Sequence, residues 1–455
     1  MRKQNLNMLE GPLFSNIVSY TIPIILTSLL QLLFNAADLI VVGRYCGSVS
    51  VAAVGATGSI TNLIINLFVG LSVGAGVTVA HALGCRQYEA AHRTIHTALP
   101  TALVCGVILT VVGTSSADSL LRLMDTPESV LPLSTVYMQI YFGGITFTMV
   151  YNFCASILRA AGDTKNPLIF LTIAGVVNVV LNVIFVRVLD MNVAGVALAT
   201  IISQGISAVS MVIILMRRTD ACKLLLPKMR FYKAQLFKII QIGLPAGIQS
   251  SLFNISNVLI QSSVNSFGDI FMSGNAAAQN IEGVVYVCIN SFSQTSVNFI
   301  GQNHGAHQYK RIRQTFWICL GCVSVVGISL GTLVYGFAPK LLSIYITDSA
   351  EAISYGIIRV GFICLPYFLL GMVDVITGAL RGMGSSLAPM VISVLGICGL
   401  RILWIYTVFQ QPQFHTPQVL YFSYPMSWFI TFLIQLVAFF LVFRKHKRAA
   451  ERLLS

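Results

Sequence analysis

The chain has 455 residues, of which 56% are hydrophobic and only 9% charged, against about 25% charged in soluble globular proteins. So few polar side chains cannot cover a water-facing surface, which excludes a soluble domain, a disordered chain and a fibrous one. The 28 Lys and Arg outnumber the 15 Asp and Glu by 13; in a membrane protein this excess reads first as the basic bias of cytoplasmic loops, not as a nucleic-acid surface.

Twelve apolar stretches long enough to span a bilayer follow along the chain, at about residues 14–42, 50–80, 94–114, 132–158, 167–188, 193–216, 236–266, 275–300, 316–338, 352–380, 388–409 and 419–443. The first is longer than a signal-peptide core and lacks a convincing cleavage site, so it is expected to be a retained span. With the N-terminus cytoplasmic and sides alternating, 22 of the 28 basic residues fall on cytoplasmic segments. They run from Arg2 and Lys3, through the cluster between Arg217 and Lys238, to the tail beginning at Arg444. The exceptions are Arg44, Arg122, Arg187, Lys340, Arg359 and Arg401. The bias predicts both termini in the cytoplasm and an even span count. Cys319 and Cys322 form a CxxC inside an apolar run, with no second CxxC or neighbouring His. Small apolar packing is expected there, not zinc or redox chemistry.

The halves on either side of the basic stretch resemble each other. Leu158-Arg159-Ala160-Ala161-Gly162 recurs 222 residues later as Leu380-Arg381-Gly382-Met383-Gly384, and Pro23/Pro245 and Pro167/Pro389 keep the same offset. Gly84, Gln87 and Tyr88 recur as Gly305, Gln308 and Tyr309. A repeat of six spans enters the membrane from the same side twice, so the copies are parallel, an arrangement typical of secondary transporters. The expected fold is therefore an all-α polytopic membrane protein, with twelve transmembrane helices in two six-helix parallel repeats around a central cavity. The expected divisions are an N-terminal lobe at 14–216, a basic cytoplasmic linker at 217–235, a C-terminal lobe at 236–443 and a basic tail at 444–455.

These residues resemble the multidrug and toxic compound extrusion (MATE) family over about residues 14–443. The resemblance rests on the Pro23 helix ending in Ala37-Asp38-Leu39-Ile40-Val41-Val42-Gly43, on the Leu-Arg-x-x-Gly segments at Leu158 and Leu380, on Asn178 with Asn182, and on Asp374 in the tenth span. It implies an exporter of bulky amphipathic, often cationic, compounds, driven by Na⁺ or H⁺ entering as substrate leaves. Two departures stand out. Some relatives carry a carboxylate where this chain has Asn182, and others a Glu where Asn254 aligns.

Among the acids, only Asp38, Glu282 and Asp374 fall well inside predicted spans. Each costs a few kcal/mol at bilayer depth unless it faces a cavity or partner, so each is a candidate for proton or cation handling. Gln31, Asn35 and Asp38 share one face of the first span; Asn62 and Asn66 are one turn apart on the second, and Asn178 and Asn182 on the fifth. In the other half, Asn254 and Asn257 lie with Ser250 and Gln261 on the seventh span, and Gln279, Glu282, Tyr286 and Asn290 form a stripe on the eighth. Asp38, Asn178 and Asn182 are the expected coupling-ion set, and the residues that would hold a bound Na⁺. Asp374 and Glu282 are candidates in the second half, and the remaining stripes are expected to line a substrate cavity. Pro23 and Pro245 each remove a helix hydrogen bond and are candidate kinks.

The expected function is thus secondary active multidrug efflux by alternating access, from a multi-pass position in the cell membrane. Small organic molecules and the bilayer are the expected partners, with no nucleic acid, a functional monomer, no catalytic residue and no cofactor beyond the coupling ion. A lipid-linked precursor flippase of similar fold is the alternative, favouring a strongly basic cavity. Gly70-Leu71-Ser72-Val73-Gly74 satisfies the G-x-S-x-G pattern of a serine hydrolase, but it also reads as a GxxxG helix-packing motif, the expected role here.

Overall fold

Apolar chain at bilayer depth finds no water for its peptide groups, and helices satisfy them internally. The computed structural model, which describes residues 6–124, 126–347 and 349–454, is accordingly built from helices with no strand among the described residues. Arg2 and Lys3 lie outside them.

The chain forms two compact units. The first comprises Ile22–Ser251 with Leu6 and Asn7. It contains α1 (Leu13–Tyr45) from Ile22 onward, α2 (Ser48–Gly84), α3 (Tyr88–Leu123), α4 (Leu131–Gly143), α5 (Ile145–Ala160), α6 (Lys165–Val183), α7 (Asn192–Arg217) and the start of α8 (Lys233–Asn265). Its core is an apolar cluster including Leu99, Leu109, Met138, Phe142, Phe153 and Leu158, where α3 packs on α4 and α5, and α2 on α3 and α5. A π-helical turn, Ile184–Val188, extends α6.

The second unit comprises Met8–Thr21 and the chain from Leu252 onward. It holds the rest of α8, then α9 (Asp269–Gly305), α10 (Tyr309–Gly336), the short α11 (Ala338–Leu342), α12 (Ala350–Cys364), α13 (Tyr367–Gly382), α14 (Leu387–Ser393), α15 (Leu400–Thr407) and α16 (Pro417–Leu454). A second π-helical stretch, Val394–Gly399, joins α14 to α15. Both α1 and α8 change unit within a turn or two of a proline, Pro23 and Pro245 respectively.

Among the described residues, nine helices are long and apolar enough to cross a membrane. The pairs α4–α5 and α12–α13, bent by 47° and 40°, raise the number to eleven. The twelfth is α9, whose 37 residues give a length of about 55 Å. Its amides and hydroxyls make it too polar to count by apolarity, yet 23 of its residues are buried, packed chiefly against α13, α10 and α12.

Backbone geometry repeats with the sequence. Gly162 and Gly384 close α5 and α13 with φ of +85° and +84°, the left-handed conformation that glycine adopts after a helix. Arg86 and His307 likewise share φ of +54° and +56° in the turns before α3 and α10.

The Gly70–Gly74 pair resolves into a packing motif within the first unit. A Cβ on Gly70 would sit 2.2 Å from the backbone nitrogen of Gly247, and one on Gly74 would sit 2.2 Å from the carbonyl oxygen of Ile239. Gly243 and Gly247 on α8 return the contact: a Cβ on Gly243 would sit 2.6 Å from Leu71 Cα, and one on Gly247 would sit 2.1 Å from Leu67 O. Small residues spaced four apart on both helices let the backbones touch. Ser72 is buried and donates its hydroxyl proton to Val69 O at 2.7 Å.

Candidate ion and substrate sites

In the first unit, α1, α6 and α7 bring four polar side chains into a closed ring. Asn178 and Asn182, one turn apart on α6, share its buried face with Leu171, Ala174 and Gly175. Asn182 Nδ2 donates to Asp38 Oδ1 at 2.5 Å and to Asn178 Oδ1 at 3.3 Å. Asn178 Nδ2 donates to Thr200 Oγ1 at 3.4 Å, and Thr200 Oγ1 donates to Asp38 Oδ2 at 3.4 Å. Asn182 is fully buried and Asn178 nearly so, whereas Asp38 is half-buried. Asn182 Oδ1 is buried without a hydrogen-bond donor among the described residues. A buried acceptor left unpaired costs about 1–3 kcal/mol, and this one stands beside a carboxylate. Asp38 Oδ1 and Oδ2, Asn178 Oδ1, Asn182 Oδ1 and Thr200 Oγ1 are hard oxygen donors of the kind that suit a small cation. The same carboxylate can instead take a proton. The ring lies next to the π-helical turn that begins at Ile184, a distortion that often marks functional sites.

Asp38, Asn178 and Asn182 thus come together as the sequence pattern expects. Thr200 adds a member that the pattern does not single out, because it is one of several hydroxyls on α7, with Ser203, Ser207 and Ser210, and nothing in the sequence marks it among them. Tyr137 and Tyr141 on α4 stack at 6.2 Å and lie within electrostatic range of Asp38. Gln31 and Asn35 on α1 and Asn62 on α2 are exposed, and Asn66 is half-buried; none of these four is part of the ring.

In the second unit, the α9 stripe divides into two clusters. The deeper one holds Asp374: Asn290 Nδ2 donates to Asp374 Oδ2 at 3.2 Å and to Tyr286 Oη at 3.4 Å, while Ser293 Oγ donates to the Asp374 carbonyl at 2.7 Å. The other holds Glu282, whose Oε1 accepts from Arg359 Nε at 2.9 Å and also from Arg359 Nη2. Arg359 Nη1 donates to Asn275 Oδ1 at 2.6 Å, which also accepts from Tyr421 Oη at 2.8 Å. Glu282 is therefore the acid of a buried ion pair, and its Oε2 has no donor among the described residues. Gln279 Nε2 reaches Gln261 Oε1 at 3.5 Å. Asn254 is half-buried and Asn257 exposed on α8, and neither joins these clusters.

Arg359 was not a site candidate, since on charge alone it belongs with the loop exceptions; burial against Glu282 and Asn275 makes it part of the core. Arg401, inside α15, is also buried and donates from Nε to Ser427 Oγ at 3.0 Å. Among the described residues, no group of three His, Cys, Asp or Glu side chains is placed to hold a metal. Cys319 is buried and Cys322 half-buried, both as free thiols.

These features have counterparts in known proteins. The MatE family model matches the chain twice, over residues 23–184 and 245–407, so the family unit coincides with the internal repeat. A probable multidrug resistance protein of Bacillus subtilis, YpnP, is 28% identical over 394 residues, covering 86% of this chain and 87% of that protein. An FAD transporter of Shewanella oneidensis is 24% identical over 89% of each chain. Among solved structures, an outward-facing multidrug resistance MATE family transporter of the MOP superfamily superposes with a TM-score of 0.91 at 20% identity, covering 98% of this chain and 100% of that one. The fold is that of these transporters, and the doubled match over most of the sequence makes the chain a member of the MatE family.

Proposed function

We propose that the protein exports amphipathic, often cationic, organic compounds in exchange for Na⁺ or H⁺, by alternating access across the cell membrane, with both termini cytoplasmic. The observation that carries this reading is the Asp38–Asn182–Asn178–Thr200 ring, with its unpaired Asn182 Oδ1. An ion-coupled transporter needs a buried group that is stable both occupied and empty. The ring supplies a carboxylate for the charge, amides that hold it in place, and a spare oxygen that gains a partner only when an ion arrives. Protonation serves as well, since a neutral Asp38 carboxyl becomes a donor. The multidrug resistance names of relatives such as YpnP support efflux as the direction.

Purified protein in proteoliposomes, loaded with a fluorescent organic cation and given an imposed Na⁺ or H⁺ gradient separately, tests the coupling. Efflux driven by one gradient and abolished in Asp38→Asn is the expected result. A response to neither gradient, or full efflux in a folded Asp38→Asn variant, overturns the proposal.

A further inference from the structure

The second unit buries more positive charge than negative around Glu282. Arg359 and Arg401 are each 4% exposed and Glu282 is 6% exposed. Glu282 is paired with Arg359. No carboxylate lies within ion-pair distance of Arg401 among the described residues. Its guanidinium carbon instead lies 4.0 Å from the centroid of Tyr424 and 5.4 Å from that of Trp428. Tyr424 is shared, since Arg359 approaches the same ring at 5.8 Å. Cation–π contacts offset only part of the cost of burying a charge among membrane helices. Two buried guanidinium groups therefore share one buried carboxylate, and the cluster carries a net positive charge.

Two groups of this cluster are unpaired among the described residues, the acceptor Glu282 Oε2 and one donor. Trp428 is 2% exposed, and its indole N–H, which can only donate, has no acceptor among the described residues. Arg401 has one hydrogen-bond acceptor, Ser427 Oγ, and that bond uses only Nε, leaving the Nη fork for an oxyanion. The π-helical stretch Val394–Gly399 ends two residues before Arg401 and resets the side-chain register of the helix at that point. An excess cation over the Tyr424 ring and a donor-only indole set edge-on to that ring at 5.8 Å together suit a planar acceptor carrying negative charge.

We infer that Arg401, Trp428 and Tyr424 form a subsite for the anionic group of an aromatic organic anion, such as a ring-bound carboxylate. The inference rests on the transporter reading above and extends its substrate class from cations to compounds bearing a carboxylate. Arg401 holds the oxyanion through its Nη fork, Trp428 adds a neutral donor, and Tyr424 offers a face for stacking. Glu282 limits the site to a single charge by neutralising Arg359.

The test is equilibrium binding to the full-length protein in nanodiscs without any ion gradient, so that its failure is separate from failure of coupled efflux. The probe is radiolabelled 1-naphthoate, with 1-naphthylmethylammonium as the ring-matched cation and sodium bromide as the inorganic competitor. Saturable naphthoate binding is expected, with affinity at least about tenfold above that of the ammonium and reduced at least about tenfold in Arg401→Gln. Trp428→Phe keeps the ring, loses the N–H and is expected to weaken naphthoate by about threefold to tenfold. Arg401→Lys, which keeps the charge without the fork, is expected to fall between wild type and Arg401→Gln. Equal affinity of wild type for the two naphthyl ions overturns the inference without any variant. So does naphthoate binding unmoved in a folded Arg401→Gln protein, or a site that bromide saturates while naphthoate does not compete.

Discussion

Asn182 donates to Asp38 Oδ1 at 2.5 Å, while its own carbonyl oxygen, buried on the same α6 turn, has no donor among the described residues. The amide holds the acid with one end and keeps the other in reserve. This division of labour makes Thr200 informative, because its hydroxyl alone closes the ring on the far oxygen of Asp38. Thr200→Val keeps the shape and removes that donor. A neutral hydrogen bond is worth about 1 kcal/mol and one to a charged group about 1.5–3. The ion concentration for half-maximal exchange in proteoliposomes is therefore expected to shift by about tenfold, with expression unchanged.

The Glu282–Arg359 pair gives a thermodynamic prediction. Removing one partner of a buried pair leaves an uncompensated charge and costs about 3–5 kcal/mol, whereas replacing both with apolar residues of similar volume is often neutral. Glu282→Leu and Arg359→Met are each expected to lower the melting temperature in detergent clearly, and the double variant to recover most of the loss. Additive losses in the double variant would contradict the pairing.

Gly70 and Gly74 face backbone atoms of α8 at distances no Cβ can occupy. Gly74→Val is therefore expected to cost at least about 1–3 kcal/mol by overpacking, read as a lowered melting temperature. Ser72→Ala, between them, removes only a bond to the carbonyl of Val69 three residues back and should leave transport within about twofold of wild type.

The basic stretch after α7 carries a pH-dependent contact outside the membrane helices. Arg218 is bonded to Asp220 by both Nε, at 2.9 Å, and Nη2. Burial pushes the Asp220 carboxyl up, but the bonded guanidinium and two backbone N–H groups outweigh it and hold the carboxyl below its ordinary value of 3.8. A carboxylate depressed in the folded state stabilises above its unfolded value and loses that contribution as pH falls through the folded one. Wild type should therefore exceed Asp220→Asn in stability at neutral pH, by no more than about 1 kcal/mol because Asp220 is partly exposed. The difference should shrink as the pH falls from the ordinary carboxyl value of 3.8 through the lower folded-state one. Thermal melts across that range check the sign.

His96 pins the same stretch to α3. Its Nε2 accepts from the Leu225 N–H at 3.0 Å, with Nδ1 against the His92 carbonyl at 2.7 Å, which makes Nδ1 the protonated nitrogen. Hydrogen exchange at Leu225 is expected to accelerate at least about tenfold in His96→Phe. Unchanged protection would mean that the remaining ties hold the stretch without the imidazole: Thr97 Oγ1 accepting from the Tyr232 N–H at 3.2 Å and the His96 carbonyl accepting from the Arg230 N–H at 3.2 Å.

Much of this architecture is legible in the residues. The 222-residue offset of Pro23/Pro245 and Gly162/Gly384 reappears as matched backbone conformation, because glycine after a helix and proline within one constrain the chain locally. Asn178 and Asn182 are readable because i, i+4 spacing fixes a shared face whatever surrounds it. Arg359 is not readable in this way. Its partners Glu282 and Asn275 lie 77 and 84 residues away in the chain, and no helical period connects them. Thr200 fails for the same reason, since its importance comes from where α7 meets α1 and α6. The eighth span, at 275–300, is legible as a span and lies within α9, but its burial is not, since that comes from packing against α13, α10 and α12.

The change of unit within α1 and α8 bears on how the chain is made. Met8–Thr21 emerge first from the ribosome, yet the unit they belong to otherwise begins at Leu252. The first unit in turn ends only at Ser251, beyond the basic stretch. The first unit is complete once Ser251 is made, whereas the opening turns of α1 must wait through more than half of synthesis for their partners. Separately expressed fragments divided at residues 217–235 would each lack a stretch of helix that the other carries, and only co-expression would restore both.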